Sequence, residues 1–306
     1  MPDEFTDLAR RVNNWGRWGA DDERGTLNLI DAEATRRAAQ SVRSGRSFSL
    51  ALPLSEDGPQ TGLIPGRVNP HRTMLAVNAP LTGDPDAFSS SDDVVTMGLQ
   101  AATHWDALAH VSYDGRLYNG FPADSVTASG AQRCGIDKAG TIAGRGVLLD
   151  VARARGTERL DAGYAITADD LDAAEELAHT TVGEGDIVLV RTGHIQLLHG
   201  GDRMAYAFPS PGLSTLTAPW LHQRSVAAVA TDNLTLEVFP GEREDTVLPV
   251  HLLHLVEMGL TQGQNFDLEV LSAACADDGG YEFFIAASPE PFRGALGGPV
   301  NPVVVK

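Results

Sequence analysis

Residues 100–110 read Gln100-Ala-Ala-Thr-His104-Trp-Asp106-Ala-Leu-Ala-His110. His104, Asp106 and His110 stand an even number of residues apart. In an extended strand alternate side chains share one face, so the spacing predicts two imidazoles and a carboxylate converging there. Such a set is one that zinc, manganese or iron accepts. It is equally what acid–base catalysis needs. The competing reading is structural, with histidines donating to backbone and Asp106 capping a turn. Grouping ionisable residues in apolar surroundings is costly without a use, which favours function.

The 306 residues, 42% of them hydrophobic, can build a substantial core. Acidic residues outnumber basic ones 41 to 23, for a net charge of −18. That balance argues against nucleic acid or anionic membrane as partners, since both require basic surface. Cys134 and Cys275 are the only cysteines and form no C-x-x-C motif, which suits a reducing compartment. The first residues lack an apolar signal segment, and no apolar run is long enough to span a bilayer. These features predict a soluble cytoplasmic protein acting on a small molecule.

Along the chain, residues 1–30 read as an arm anchored by Trp15 and Trp18. Asp31 to Ser44 reads as a helix with Asp31 as N-cap and Gly45 as stop. Ser47 to Leu54 reads as a strand. Residues 55–92, rich in Gly, Pro, Ser and Asp, read as a long loop able to cover a substrate. Buried-strand patterns follow at Gly144–Val151, Gly185–Gly193, Ala227–Thr231 and Phe283–Ala287. Helical patterns occupy Thr167–Leu177, Ser214–Gln223 and Pro249–Met258. Nothing divides the chain, so one domain over 1–306 with mixed α and β structure is expected. Nucleotide-binding glycine motifs and a G-x-S-x-G context for Ser210 or Ser214 are absent.

The 100–110 stretch resembles the signature H-x-G-T-H-x-D-x-P-x-H of the cyclase-like metal hydrolases, the family of bacterial kynurenine formamidase and isatin hydrolase. Thr103, His104, Asp106 and His110 match it. Gln100 stands at the first metal-binding His, Ala102 at the Gly and Leu108 at the Pro. Similarity continues through G-D-I-V-L-V-R-T-G, P-G-L-S, V-A-T-D-N, L-P-V-H, Y-E-F-F-I-A-A-S-P and G-G-P-V-N-P-V. The resemblance implies an α+β swivelling β/β/α fold with a mixed β-barrel-like core and flanking helices. It implies His104, Asp106 and His251 as metal ligands and His110 as the acid–base residue. Gln100 is then an oxyanion partner, and Trp15, Trp18, Tyr118 and Gln264 line the substrate pocket. Gln264 occupies the position of a further ligand Glu, so the family's second metal is not expected. One divalent ion, zinc or manganese, competes with a metal-free site hydrogen-bonded among Gln100, His104, Asp106 and Gln264.

The implied activity is hydrolysis of a small amide or cyclic amide by a metal-bound water, in a homodimer or homotetramer. Two alternatives stay open. One is a metal-independent cyclase or dehydratase for a β-keto chain, and the other is a small-molecule-binding protein that has lost catalysis. Tyr113 is a weaker pocket candidate, and Asp232 and Glu237 are candidates that could equally cap turns. His194, His199 and His254 read as structural or surface residues.

Overall fold

Three largely apolar runs and one polar segment build the centre of the molecule. Ala143–Asp150, Ile187–Arg191, Ala228–Thr231 and Thr261–Gln264 pair side by side as parallel strands. Both faces of such a sheet are covered, which is why the runs are nearly continuous in Val, Leu, Ile and Ala. Leu148, Leu189 and Ala230 pack on one face with Trp105, Phe266 and Phe283. Val147, Leu149, Val188, Val190 and Val229 pack on the other with Ile166, Leu171, Leu221 and Leu253. A computed structural model describes residues 4–306; residues 1–3 of the expected arm lie outside the described residues.

Antiparallel strands extend this centre into a curled sheet of nine. On one side come Glu282–Ala286, Val303–Val305 and, at the edge, Ser47–Ser49. On the other, His104–Asp106 pairs with Thr261–Gln264 and then with Gly297–Pro299. The result is the mixed α+β fold expected, with a half-barrel sheet and flanking helices.

Several elements depart from the sequence reading. The first helix after the arm is Ala32–Ala39, shorter than expected, with Asp31 accepting from the Ala34 amide at 2.7 Å. The strand begun at Ser47 ends at Ser49. The stretch read as one loop contains a hairpin, His71–Pro80 with Ser89–Thr96. Its side chains are almost all exposed, so its alternation marks no buried face and gives no strand signal. The helix at Pro249 passes into a π-helix, Leu252–Met258, which Gly259 stops at φ +63°. Single π-helical turns recur at functional sites.

The arm is tied to the body by polar side chains. The Trp15 indole donates to Val256 O at 2.7 Å, and Tyr118 donates to Asp22 at 2.9 Å. The Arg17 guanidinium lies 4.7 Å over the Trp18 ring. The anchoring expected of Trp15 is what the fold uses.

Candidate functional site

The register of two short strands assembles the site. Gln264 pairs with His104 and Gly263 with Trp105. Because side chains alternate, His104, Asp106, Gln262 and Gln264 share one face and Trp105 turns to the core behind it. Gly263 makes this packing close: a Cβ there would lie 2.6 Å from Phe266 and 2.9 Å from Trp105. The strand ends at Asp106, so His110 does not share the strand face, as the spacing had predicted. A turn returns it instead, its amide bonded to Ala107 O at 2.9 Å.

Asp106 is the hub. His104 Nε2 lies 3.4 Å and His110 Nε2 3.8 Å from its Oδ1. His251 Nε2 lies 3.7 Å from Oδ2. Oδ2 also accepts from the side-chain amides of Gln264, at 2.7 Å, and Gln262, at 3.1 Å. Asp106, His104 and His251 are buried, whereas the His110 side chain keeps 21% of its surface open. Unpartnered buried polar atoms gather here: Asp106 Oδ1, His110 Nδ1, Gln264 Oε1 and His254 Nε2. Such atoms are rare in folded proteins and mark places where something else is bound or moved.

The rings are held from behind. His104 Nδ1 donates to Ala102 O at 2.7 Å. His251 Nδ1 donates to Glu237 at 2.5 Å, and Glu237 also accepts the backbone amides of Val250 and His251. His254 Nδ1 donates to Gln262 Oε1 at 3.2 Å, which turns the Gln262 amide nitrogen toward Asp106. With Nδ1 carrying the proton, His104 and His251 present Nε2 lone pairs to a carboxylate. That juxtaposition is repulsive unless a proton or a metal cation sits between.

The electrostatics follow. Burial works to raise the Asp106 pKa, but the neighbouring imidazoles of His110, His104 and His251 outweigh it. The carboxyl is held well below its usual range. Burial pulls His110 below its ordinary value; Asp106 opposes, while His251, His104 and Arg67 add to the fall. Burial also works to lower His251, yet Glu237 and Asp106 raise it overall. His254 is pushed down to about 3 by burial and by His251.

Among the described residues no three His, Cys, Asp or Glu side chains close on a common point as in a formed metal cage. The donor chemistry nevertheless fits one ion. Two imidazoles are fixed through Nδ1 with Nε2 turned inward, and Asp106 Oδ1 has no hydrogen-bond partner. Gln264 directs its side-chain N–H toward Asp106.

The profile of the Cyclase family, described as "Putative cyclase", matches residues 48–238. The chain belongs to the Cyclase family. A solved structure described as a novel cyclase is 39% identical, with a TM-score of 0.88, over 97% of this chain and 99% of that one. Isatin hydrolase A from Ralstonia solanacearum is 19% identical, TM-score 0.60, over 85% and 91% of the two chains. A potential metal-dependent hydrolase with cyclase activity is 18% identical, TM-score 0.52, over 85% and 96%. At the last two identities the likeness is one of fold. No curated protein matches the chain. The resemblance read from the motif is thus a family membership, and named members and neighbours are hydrolases or cyclases.

In this Cyclase-family chain the structure brings together His104, Asp106, His110, His251 and Gln264 of the residues singled out in the sequence. Gln264, expected to face substrate, gives its amide nitrogen to Asp106 and leaves its Oε1 unpartnered. Gln100 is half-buried against Gly297, the partner of Asp106 in the next strand, and its side chain makes no hydrogen bond to the described residues. Trp15, Trp18 and Tyr118, expected at the pocket, make the arm contacts above; Tyr118 is fully buried. His194 stacks on Tyr206 and Asp232 caps the Thr192–Gly193 turn, both structural uses. Sequence reasoning missed Gln262 and Arg67 and gave Glu237 and His254 too little weight. The alternation Thr261-Gln-Gly-Gln264 was the available signal for Gln262.

Proposed function

We propose that this Cyclase-family protein hydrolyses a carbon–nitrogen bond in a small amide or cyclic amide, with His110 as the acid–base residue. The observation that carries this reading is the convergence of three imidazole Nε2 atoms on the buried Asp106 carboxylate, with only His110 open to an incoming ligand. A divalent ion, zinc or manganese, fits His104, Asp106 and His251, and when bound supplies Lewis acidity and lowers the pKa of water. The depressed pKa of His110 keeps it neutral near pH 7, so its free nitrogen accepts a proton from the attacking water and returns it to the leaving nitrogen. Asp106 stays ionised and holds the imidazoles in register. Gln100, with its amide uncommitted, donates in this reading to the carbonyl oxygen as negative charge develops there. The named isatin hydrolases of the same fold support the substrate class. A panel of amides, imides and lactones tests it. Turnover of a β-keto chain with no hydrolysis across the panel moves the assignment to cyclase chemistry, and ligand binding without turnover moves it to a binding protein.

We also propose that the protein works as a homo-oligomer. The hairpin over residues 71–96 exposes Leu75, Val77, Leu81 and Phe88, each more than half accessible, an apolar display that single chains rarely leave to water. The net charge of −18 argues against nucleic acid or anionic lipid on this surface. No described helix is long and apolar enough to cross a membrane. Leu75→Asp with Val77→Asp shifts the mass in light-scattering chromatography to a single chain while circular dichroism is unchanged. An unaltered oligomer mass removes the hairpin from the interface.

A further inference from the structure

Arg67 lies in the segment that leads to the hairpin, and that segment is tied down. Gly98 N donates to Val68 O at 3.1 Å, and Gln60 Nε2 to Ala101 O at 2.9 Å. Asn69 Oδ1 accepts from Gln60 N, and Asn69 Nδ2 donates to Gln60 O and Glu56 O. Arg203 closes the ring of bonds on Gln60 O at 3.0 Å. These bonds fix residue 67 over Gly98–Ala101, the start of the motif that carries His104 and Asp106. The Arg67 stem rests on Gly98, where a Cβ would come 3.0 Å from Arg67 Cγ. Glycine leaves room there for the Arg67 stem.

Arg67 is half-buried, and its guanidinium makes no hydrogen bond or ion pair with any described residue. Its charge nevertheless reaches Asp106, His110 and His251. Arg145 and Arg191, at comparable or greater depth, each hold carboxylates in pairs of bonds. Asp106 does not serve Arg67 in this way, because the glutamine amides take its Oδ2 and imidazoles face its Oδ1. A partly desolvated guanidinium with no anion bonded to it directly is costly. Guanidinium is the side chain whose flat fork matches a carboxylate at two points. The uncommitted amide of Gln100, two residues on from Gly98, is a further donor at the same rim.

We propose that Arg67 is the recognition residue for a carboxylate on the ligand of this site. The inference deepens the hydrolase reading, since the acid is either part of the substrate or released when the amide opens. A binding measurement separates the two claims. The full-length protein is titrated calorimetrically with benzoate and, as the neutral isostere, benzamide. Wild type binds benzoate in preference to benzamide. Arg67→Gln weakens benzoate about tenfold or more, the loss of one charge-assisted pair, and leaves benzamide within a factor of about two. Arg67→Lys restores part of the benzoate affinity by charge without the fork. Equal benzoate affinity in wild type and Arg67→Gln overturns the proposal, as does equal affinity of wild type for benzoate and benzamide. Should no amide be turned over while benzoate still requires Arg67, the hydrolase reading fails and this one stands. With an active amide in hand, a rise in KM confined to carboxylate-bearing substrates assigns the acid to the substrate. Weaker inhibition by the released acid alone assigns it to the product.

Discussion

His110→Ala lowers turnover of an amide substrate by about 10²–10⁴-fold, the usual worth of a positioned proton-transfer group. The fold survives the change. His110 Nδ1 has no partner to lose, its Nε2 stands 3.8 Å from Asp106, and its side chain alone among the three imidazoles reaches the surface. The same facts make it the residue a ligand meets first. With its pKa below the ordinary value, activity rises with pH through a midpoint on the acid side of 6.5 as the imidazole becomes a base. Its removal takes that limb of the profile away. Steady-state kinetics across pH, beside the far-ultraviolet dichroism of the variant, provide the check. A folded variant with undiminished turnover removes His110 from the mechanism.

Asp106→Asn costs about 3–5 kcal/mol of stability at pH 7, the range for taking one partner from a buried charged cluster. Asparagine keeps an oxygen for the glutamine amides but leaves His251 and the half-buried Arg67 facing a neutral group. The sign of the pH dependence is fixed by the direction of the Asp106 shift. A carboxyl held below its unfolded value contributes stability that is full above the unfolded pKa, about 4, and is lost as pH falls through the lower folded value. The deficit of the variant is therefore constant near neutrality and narrows below about pH 4. Urea unfolding at several pH values measures it. A variant as stable as wild type at pH 7 contradicts the hub described here.

The strand spacing of His104 and Asp106 was readable because two residues on one face need no tertiary knowledge. His110 was assigned correctly to the group for a partly wrong reason: the strand stops at Asp106, and a turn returns the ring. Gln262 and Gln264 reach Asp106 through strand pairing over more than 150 residues, which local periodicity does not encode. Glu237 looked like a turn cap, and it does accept two backbone amides; its grip on His251 depends on where a later helix begins. Arg67 sat in a segment whose Gly, Pro and Ser content signalled only a loop. Three of the four parallel strands were legible because burial on both faces writes itself as apolar runs, whereas the polar Thr261–Gln264 and the exposed hairpin left no such record.

The most direct test of the central claim, that Asp106 and its imidazoles form one cation-holding catalytic hub, is the metal content of the full-length protein purified without chelator, by elemental mass spectrometry. The account predicts about one divalent ion, zinc or manganese, per chain in wild type and its loss in His104→Ala. Protein without bound metal, and with no activity gained when either ion is added, contradicts it.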